Sequence, residues 1–128
     1  MNQSIDLSKP LLRVWVEIHM NSYNGFSPSQ RVKAQNWLNK KWASGTLVRP
    51  TKCCACGQTE GLIDAHAEDY SEPFEAGKTD KFHLCRKCHM QVHRRFANPR
   101  SWLSYKELVK KSVTGRVDIE HDVLDKIG

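Results

Sequence analysis

The sequence predicts a small α+β protein: a strand, a loop, a second strand and a helix braced by four cysteines, with further helices before and after. Three observations lead there. Two C-x2-C pairs, Cys53/Cys56 and Cys85/Cys88, stand about thirty residues apart. Each such turn presents two sulfurs to one ion, and two turns close a tetrahedral thiolate site from opposite sides. Residues 62–66 (LIDAH) and 81–84 (KFHL) read as strands joined by a polar run containing Pro73 and Gly77. From Arg86 the pattern turns helical until Asn98-Pro99, where a proline cannot continue it.

Taken in order, the elements begin with an expected helix over residues 10–24, where Leu11, Leu12, Val14, Trp15, Val16, Ile18 and Met20 supply apolar positions and Gly25 ends the run. Ser27-Pro28-Ser29-Gln30 then combines an N-cap serine, a proline at the first helical position and a glutamine placed for a capping box. A helix is expected from there to about Ser44-Gly45, with Val32, Ala34, Trp37, Leu38 and Trp42 as its apolar side. It can pack on the core or lie along a nucleic-acid backbone, and packing is the favoured reading. After the metal-bearing stretch, Ser104-x-x-Glu107 reads as a second capping box, opening a helix that Gly115 closes. The acidic tail beyond Val117 carries no functional signal. The expected division is residues 1–50 as an N-terminal helical segment, 51–98 as the zinc-braced core, and 99–128 as a C-terminal helix and tail.

The chain has 128 residues, with 20 Lys and Arg against 14 Asp and Glu. That length suits one compact domain with a modest core, which a bound ion would reinforce. The positive excess concentrates between Lys78 and Lys111, where ten basic residues face only Asp80 and Glu107. A field of that sign attracts polyanions, nucleic acid above all. No apolar run of membrane-spanning length is visible, and Asp6, Lys9 and Arg13 interrupt any signal-peptide core, so a cytoplasmic protein with no membrane partner is expected. An odd cysteine count beside histidines argues for reduced thiolates rather than a disulfide framework, with Cys54 as the spare thiol.

Four thiolates leave no open position, so an ion held by Cys53, Cys56, Cys85 and Cys88 is expected to be structural zinc. His89 and His93 lie four apart and share one helix face. If His66 on the first strand looks toward that face, three imidazoles can hold a second divalent ion with positions left for a phosphate oxygen and water. His19 and His121 are assigned no role, and Trp15, Trp37 and Trp42 are expected in the core, with Trp102 the one indole considered for nucleic-acid contact.

Cys53-x2-Cys56, His66 within DAHAEDYSEP, Asp80 five residues before Cys85, and LCRKCHMQVH together resemble the HNH, or ββα-metal, nucleases of the zinc-knuckle type. The resemblance covers roughly residues 52–96. It implies two antiparallel strands and a helix gripping a catalytic ion such as Mg2+, Mn2+, Ni2+ or Zn2+, a separate zinc bracing the fold, and hydrolysis of DNA phosphodiesters to 5′ phosphate and 3′ hydroxyl. His66, His89 and His93 would surround that ion, while Arg86, Lys87, Arg94, Arg95 and Arg100 would hold phosphates.

Two departures accompany the likeness. Relatives with the EDY continuation carry a second histidine as general base where this chain has Ala67, and Asp80 stands at the spacing of the family's asparagine, with His83 close by. Three assignments of the base follow. His66 itself takes the proton while Asp64, Glu68 or Asp69 helps hold metal; or His66 stays on the metal and His83, Glu68 or Tyr70 accepts; or the chain binds DNA and scarcely cuts. The last is the rival class, a zinc-stabilised DNA- or RNA-binding module.

Overall fold

A computed structural model describes residues 21–128. The expected helix over residues 10–24 therefore lies almost wholly outside the described residues; its last part, residues 21–24, is a turn in which Tyr23 and Phe26 exchange two backbone hydrogen bonds. Among the described residues are four helices and one two-stranded antiparallel sheet: α1 Pro28–Ser44, β1 Ile63–His66, β2 Phe82–Cys85, α2 Arg86–Arg94, α3 Pro99–Val113 and α4 Val123–Ile127. None of these helices is long and apolar enough to cross a membrane.

The chain divides into two compact units. One takes the described residues up to Arg49 together with Ala67–Lys81, and the other Pro50–His66 with Phe82–Gly128. In the first, α1 begins as the sequence predicts. Gln30 N–H donates to the Ser27 hydroxyl at 3.2 Å and the Gln30 side chain accepts from Ser27 N–H at 2.8 Å. Pro28 supplies a preset φ at the first helical position, and Gly45, at φ 78°, closes the helix in the left-handed region that a side chain would strain. Val32, Ala34 and Leu38 are buried, while Trp37 and Trp42 are half-buried. Segment 67–81 is tied internally: Lys78 Nζ donates to the carbonyls of Ser71 and Pro73, and the Asp80 carboxylate accepts from Gly77 N–H at 2.7 Å.

The second unit holds the sulfur cluster and the main core. The strands pair Ile63 with Cys85, Asp64 with Leu84, Ala65 with His83 and His66 with Phe82. Paired residues share a sheet face and the faces alternate along a strand, so Asp64 and His66 lie on one side and Ala65 and His83 on the other. Leu84, Cys88 and Val92 are fully buried among Trp102, Tyr105, Val109, Leu124 and Ile127.

Three boundaries differ from expectation. Helix α2 stops at Arg94, three residues early, because residues 95–97 turn and Asn98 starts a new helix, its side chain accepting from Ser101 N–H at 3.1 Å with Pro99 behind it. Ser104 is consequently interior to α3, and the capping box expected there does not form. The tail folds back as α4, burying Ile119, Val123, Leu124 and Ile127, with Asp125 paired to Lys106 and Lys110. Trp102 is core, 4% exposed, and the alternative of nucleic-acid contact is withdrawn.

Candidate metal centre

Cys53 and Cys56 come from the turn that precedes β1, Cys85 from the last position of β2, and Cys88 from the first turn of α2. Their four sulfurs all lie within 4.8 Å of one another. Cys56 Sγ and Cys85 Sγ are 3.7 Å apart. Four sulfurs at the usual Zn–S distance of about 2.3 Å in a tetrahedron stand about 3.8 Å from each other, whereas a disulfide would need about 2.05 Å. The set fits a metal ion such as zinc.

The acid–base chemistry of the cluster leads to the same place. Hydrogen bonds from Cys85 and Cys88 hold the Cys53 thiol far below its ordinary range, against burial. Burial first, and then the charge on Cys53, pushes Cys56 up to about 11. Cys88 is pushed up as well, by its hydrogen bonds to Cys53 and Cys85 and then by burial. One thiolate is thus stabilised at its neighbours' expense, and only a cation allows all four to ionise together. Two further contacts support the sulfurs: Cys56 N–H donates to Cys53 Sγ at 3.4 Å, and the Tyr105 hydroxyl lies 3.0 Å from Cys88 Sγ. Burial raises the Tyr105 hydroxyl, keeping it protonated and able to donate. Cys54 stands outside the set, its thiol raised by burial and its N–H donated to His83 O at 2.7 Å.

The second cluster joins β1 to α2. His66 is 1% exposed, and its ring centroid is 5.1 Å from that of His89 and 5.2 Å from that of His93. His89 Nε2 and His93 Nε2 are 3.1 Å apart. One ligand nitrogen from each of the three rings lies within 4.8 Å of the others. Nitrogens bound to one ion at about 2.1 Å are about 3.0–3.4 Å apart, so the helical pair already has that spacing.

Asp64, two residues before His66 on the same face of β1, places Oδ2 2.9 Å from His89 Nδ1. Burial raises this carboxyl, but the hydrogen bond and charge of His89, with the charge of Arg86, outweigh it and hold Asp64 below the usual carboxylate range. An ionised carboxylate only accepts, so Nδ1 keeps its proton, and Nε2, which faces His93, is the atom left to bind an ion once the ring gives up its second proton. Arg86, 57% exposed, reaches the same Oδ2 at 3.5 Å. A surface cleft of about 290 Å³ opens beside these groups, lined by Asp64, Arg86, His89, Met90 and His93.

The other residues singled out in the sequence each have their own local setting. His83 pairs with Ala65 and so occupies the sheet face opposite His66. Glu68 accepts a hydrogen bond from the Tyr23 hydroxyl, and its backbone carbonyl accepts from Asn24 at 2.8 Å. Asp80 caps the turn at Gly77. Arg86, Lys87, Arg94 and Arg100 are exposed, but Arg95 is buried at 7%, donating to the Val92 carbonyl at 2.9 Å, and its guanidinium is spent closing the end of α2. Sequence reasoning missed Tyr105, which no short motif links to Cys88. It weighed Asp64 as a metal ligand only, although the i, i−2 relation to His66 on a strand marks a group on the same face. Comparison of the chain with family models, with curated proteins and with solved structures finds no match.

Proposed function

We propose that the protein is a metal-dependent endonuclease of the HNH type, acting on DNA phosphodiesters. The observation that carries the reading is the convergence of His66, His89 and His93, with Asp64 fixing the His89 ring, beside a cleft bordered by Arg86. When bound among these nitrogens, a divalent ion would supply Lewis-acid stabilisation of the phosphate and of the departing 3′ oxygen. The protein's part is placement and electrostatics, which carry most of the rate in phosphoryl transfer. Asp64 holds the His89 tautomer. Arg86 offers an exposed guanidinium for a non-bridging phosphate oxygen, and Lys87 and Arg94 add charge along the same helix. His66, at 1% exposure, suits a ligand better than a base that must meet solvent.

A second reading, a zinc-braced nucleic-acid-binding module, is favoured by one observation: the candidate acceptors are engaged elsewhere. Ala67 has no titratable group, His83 faces away from His66, and Glu68 is bonded to Tyr23. Lacking a positioned base lowers a rate by about 10²–10⁴-fold, so the nuclease reading expects slow cutting rather than none. Supercoiled plasmid incubated with the protein in Mg2+, Mn2+, Ni2+ or Zn2+ tests this, beside a His89→Ala/His93→Ala variant and Ala67→His. Slow, metal-dependent nicking that disappears in the double variant and rises in Ala67→His supports the nuclease. Cleavage surviving the double variant, or none in any metal with or without Ala67→His, removes it.

A further inference from the structure

We propose a second nucleic-acid contact on the outer side of α1, in the unit that does not hold the histidines. This rests on the nucleic-acid reading above and extends it to a surface which that reading does not use. Residues 21–59 contain no Asp or Glu, yet carry Arg31, Lys33, Lys40, Lys41, Arg49 and Lys52. The first turn of α1 has no acidic residue either, although a carboxylate there would gain from the helix dipole. An ordinary solvated helix mixes both signs. This one excludes one of them along its whole length.

The placement matches the charge. Ser29, Lys33 and Lys40 are exposed and Asn36 half-buried; the spacing i, i+4, i+7, i+11 sets them along one stripe, while Val32, Ala34 and Leu38 are buried. Lys33 and Lys40 are two turns apart, about 10 Å along the axis. Two more cations rest on half-buried indoles of the same helix: Lys41 Nζ lies 5.5 Å from the Trp37 ring centre and the Arg49 guanidinium 4.3 Å from that of Trp42. The described acids of this unit gather instead in segment 67–81. There Glu68, Asp69 and Asp80 are bonded to Tyr23, to Ser71 and to Gly77 N–H, leaving Glu72 and Glu75 exposed. A one-signed stripe of lysines and small polar side chains fits a phosphate backbone, where charge and hydrogen bonds position the partner without reading bases.

Salt dependence of binding decides it, because each phosphate contact adds about 0.9 to the slope of log K against log salt on duplex DNA. The full chain binds a labelled 30-base-pair duplex, followed by fluorescence anisotropy from 50 to 200 mM KCl with EDTA omitted and no catalytic metal added. Lys33→Gln/Lys40→Gln is expected to lower the slope by about 1.8, and Lys87→Gln/Arg94→Gln on α2 by a similar amount. Arg116→Gln/Lys126→Gln, which removes the same charge outside both the α1 stripe and the basic run of residues 78–111, is expected to leave it unchanged. A slope that the α1 pair leaves alone while the α2 pair lowers it overturns this contact and leaves the nucleic-acid reading standing. Equal loss in the Arg116/Lys126 control also overturns it, since net charge then suffices. No salt-dependent binding by the unaltered protein removes both.

Discussion

Replacing Asp64 by asparagine isolates the carboxylate that orients the histidine pair. The amide keeps the shape of the side chain but gives up the charge that faces His89 Nδ1 at 2.9 Å and Arg86 at 3.5 Å. Asparagine can also turn its NH2 toward Nδ1, which favours the tautomer with its proton on Nε2, where a ligand needs a lone pair. Loss of such an outer partner costs about 10–100-fold in metal affinity, or about 1.4–2.7 kcal/mol. The assay is calorimetric titration of Ni2+ into protein carrying one zinc equivalent, with far-ultraviolet circular dichroism to confirm the fold. Arg86→Gln serves as the contrast, because it touches the same oxygen without touching a histidine and should not weaken binding. Affinity of Asp64→Asn within twofold of the unaltered chain would refute the orienting role. So would a loss as large as that of His89→Ala, since the carboxylate would then be acting as a ligand.

Two further outcomes follow from the packing. Cys88→Ser should abolish retention of one zinc equivalent and unfold the unit that holds it, whereas Cys54→Ala should keep the ion, as native mass spectrometry reads directly; equal retention by both would break the four-sulfur assignment. Trp102→Ala removes a 4% exposed indole from the core and should cost about 3–5 kcal/mol in urea unfolding, against less than 1 kcal/mol if the indole were a surface contact.

The sequence was most informative where chemistry imposes fixed spacing. The cysteine pairs and His89-x3-His93 declare their geometry because a turn and a helix each fix side-chain direction over three or four residues. The cap at Ser27 was readable for the same reason. What escaped depended on contacts between distant segments or on competition between local signals. Asn98-Pro99 reads in the sequence as a helix stop, but it also starts the next helix, and Ser104-x-x-Glu107 falls inside that helix because nothing between them breaks it. The tail looked acidic and empty because its apolar residues, Ile119, Val123, Leu124 and Ile127, are too few for a clear period until α3 offers a surface to bury them. Arg95 sat in a basic run and was grouped with it, but charge on paper does not reveal which guanidinium is needed to satisfy a helix end.

Cys88 and His89 are consecutive residues of α2, one in the sulfur cluster and one in the imidazole cluster. Cys85, where β2 gives way to that helix, belongs to the first set, and β2 pairs along its length with the strand carrying His66. Neither donor set can be rearranged without disturbing the peptide that anchors the other. Ions bound at the two sets would therefore be coupled, and reciprocity would require the same factor in both directions. Removing an ion from the sulfurs would then change binding at the imidazoles, and the two would not behave as independent sites.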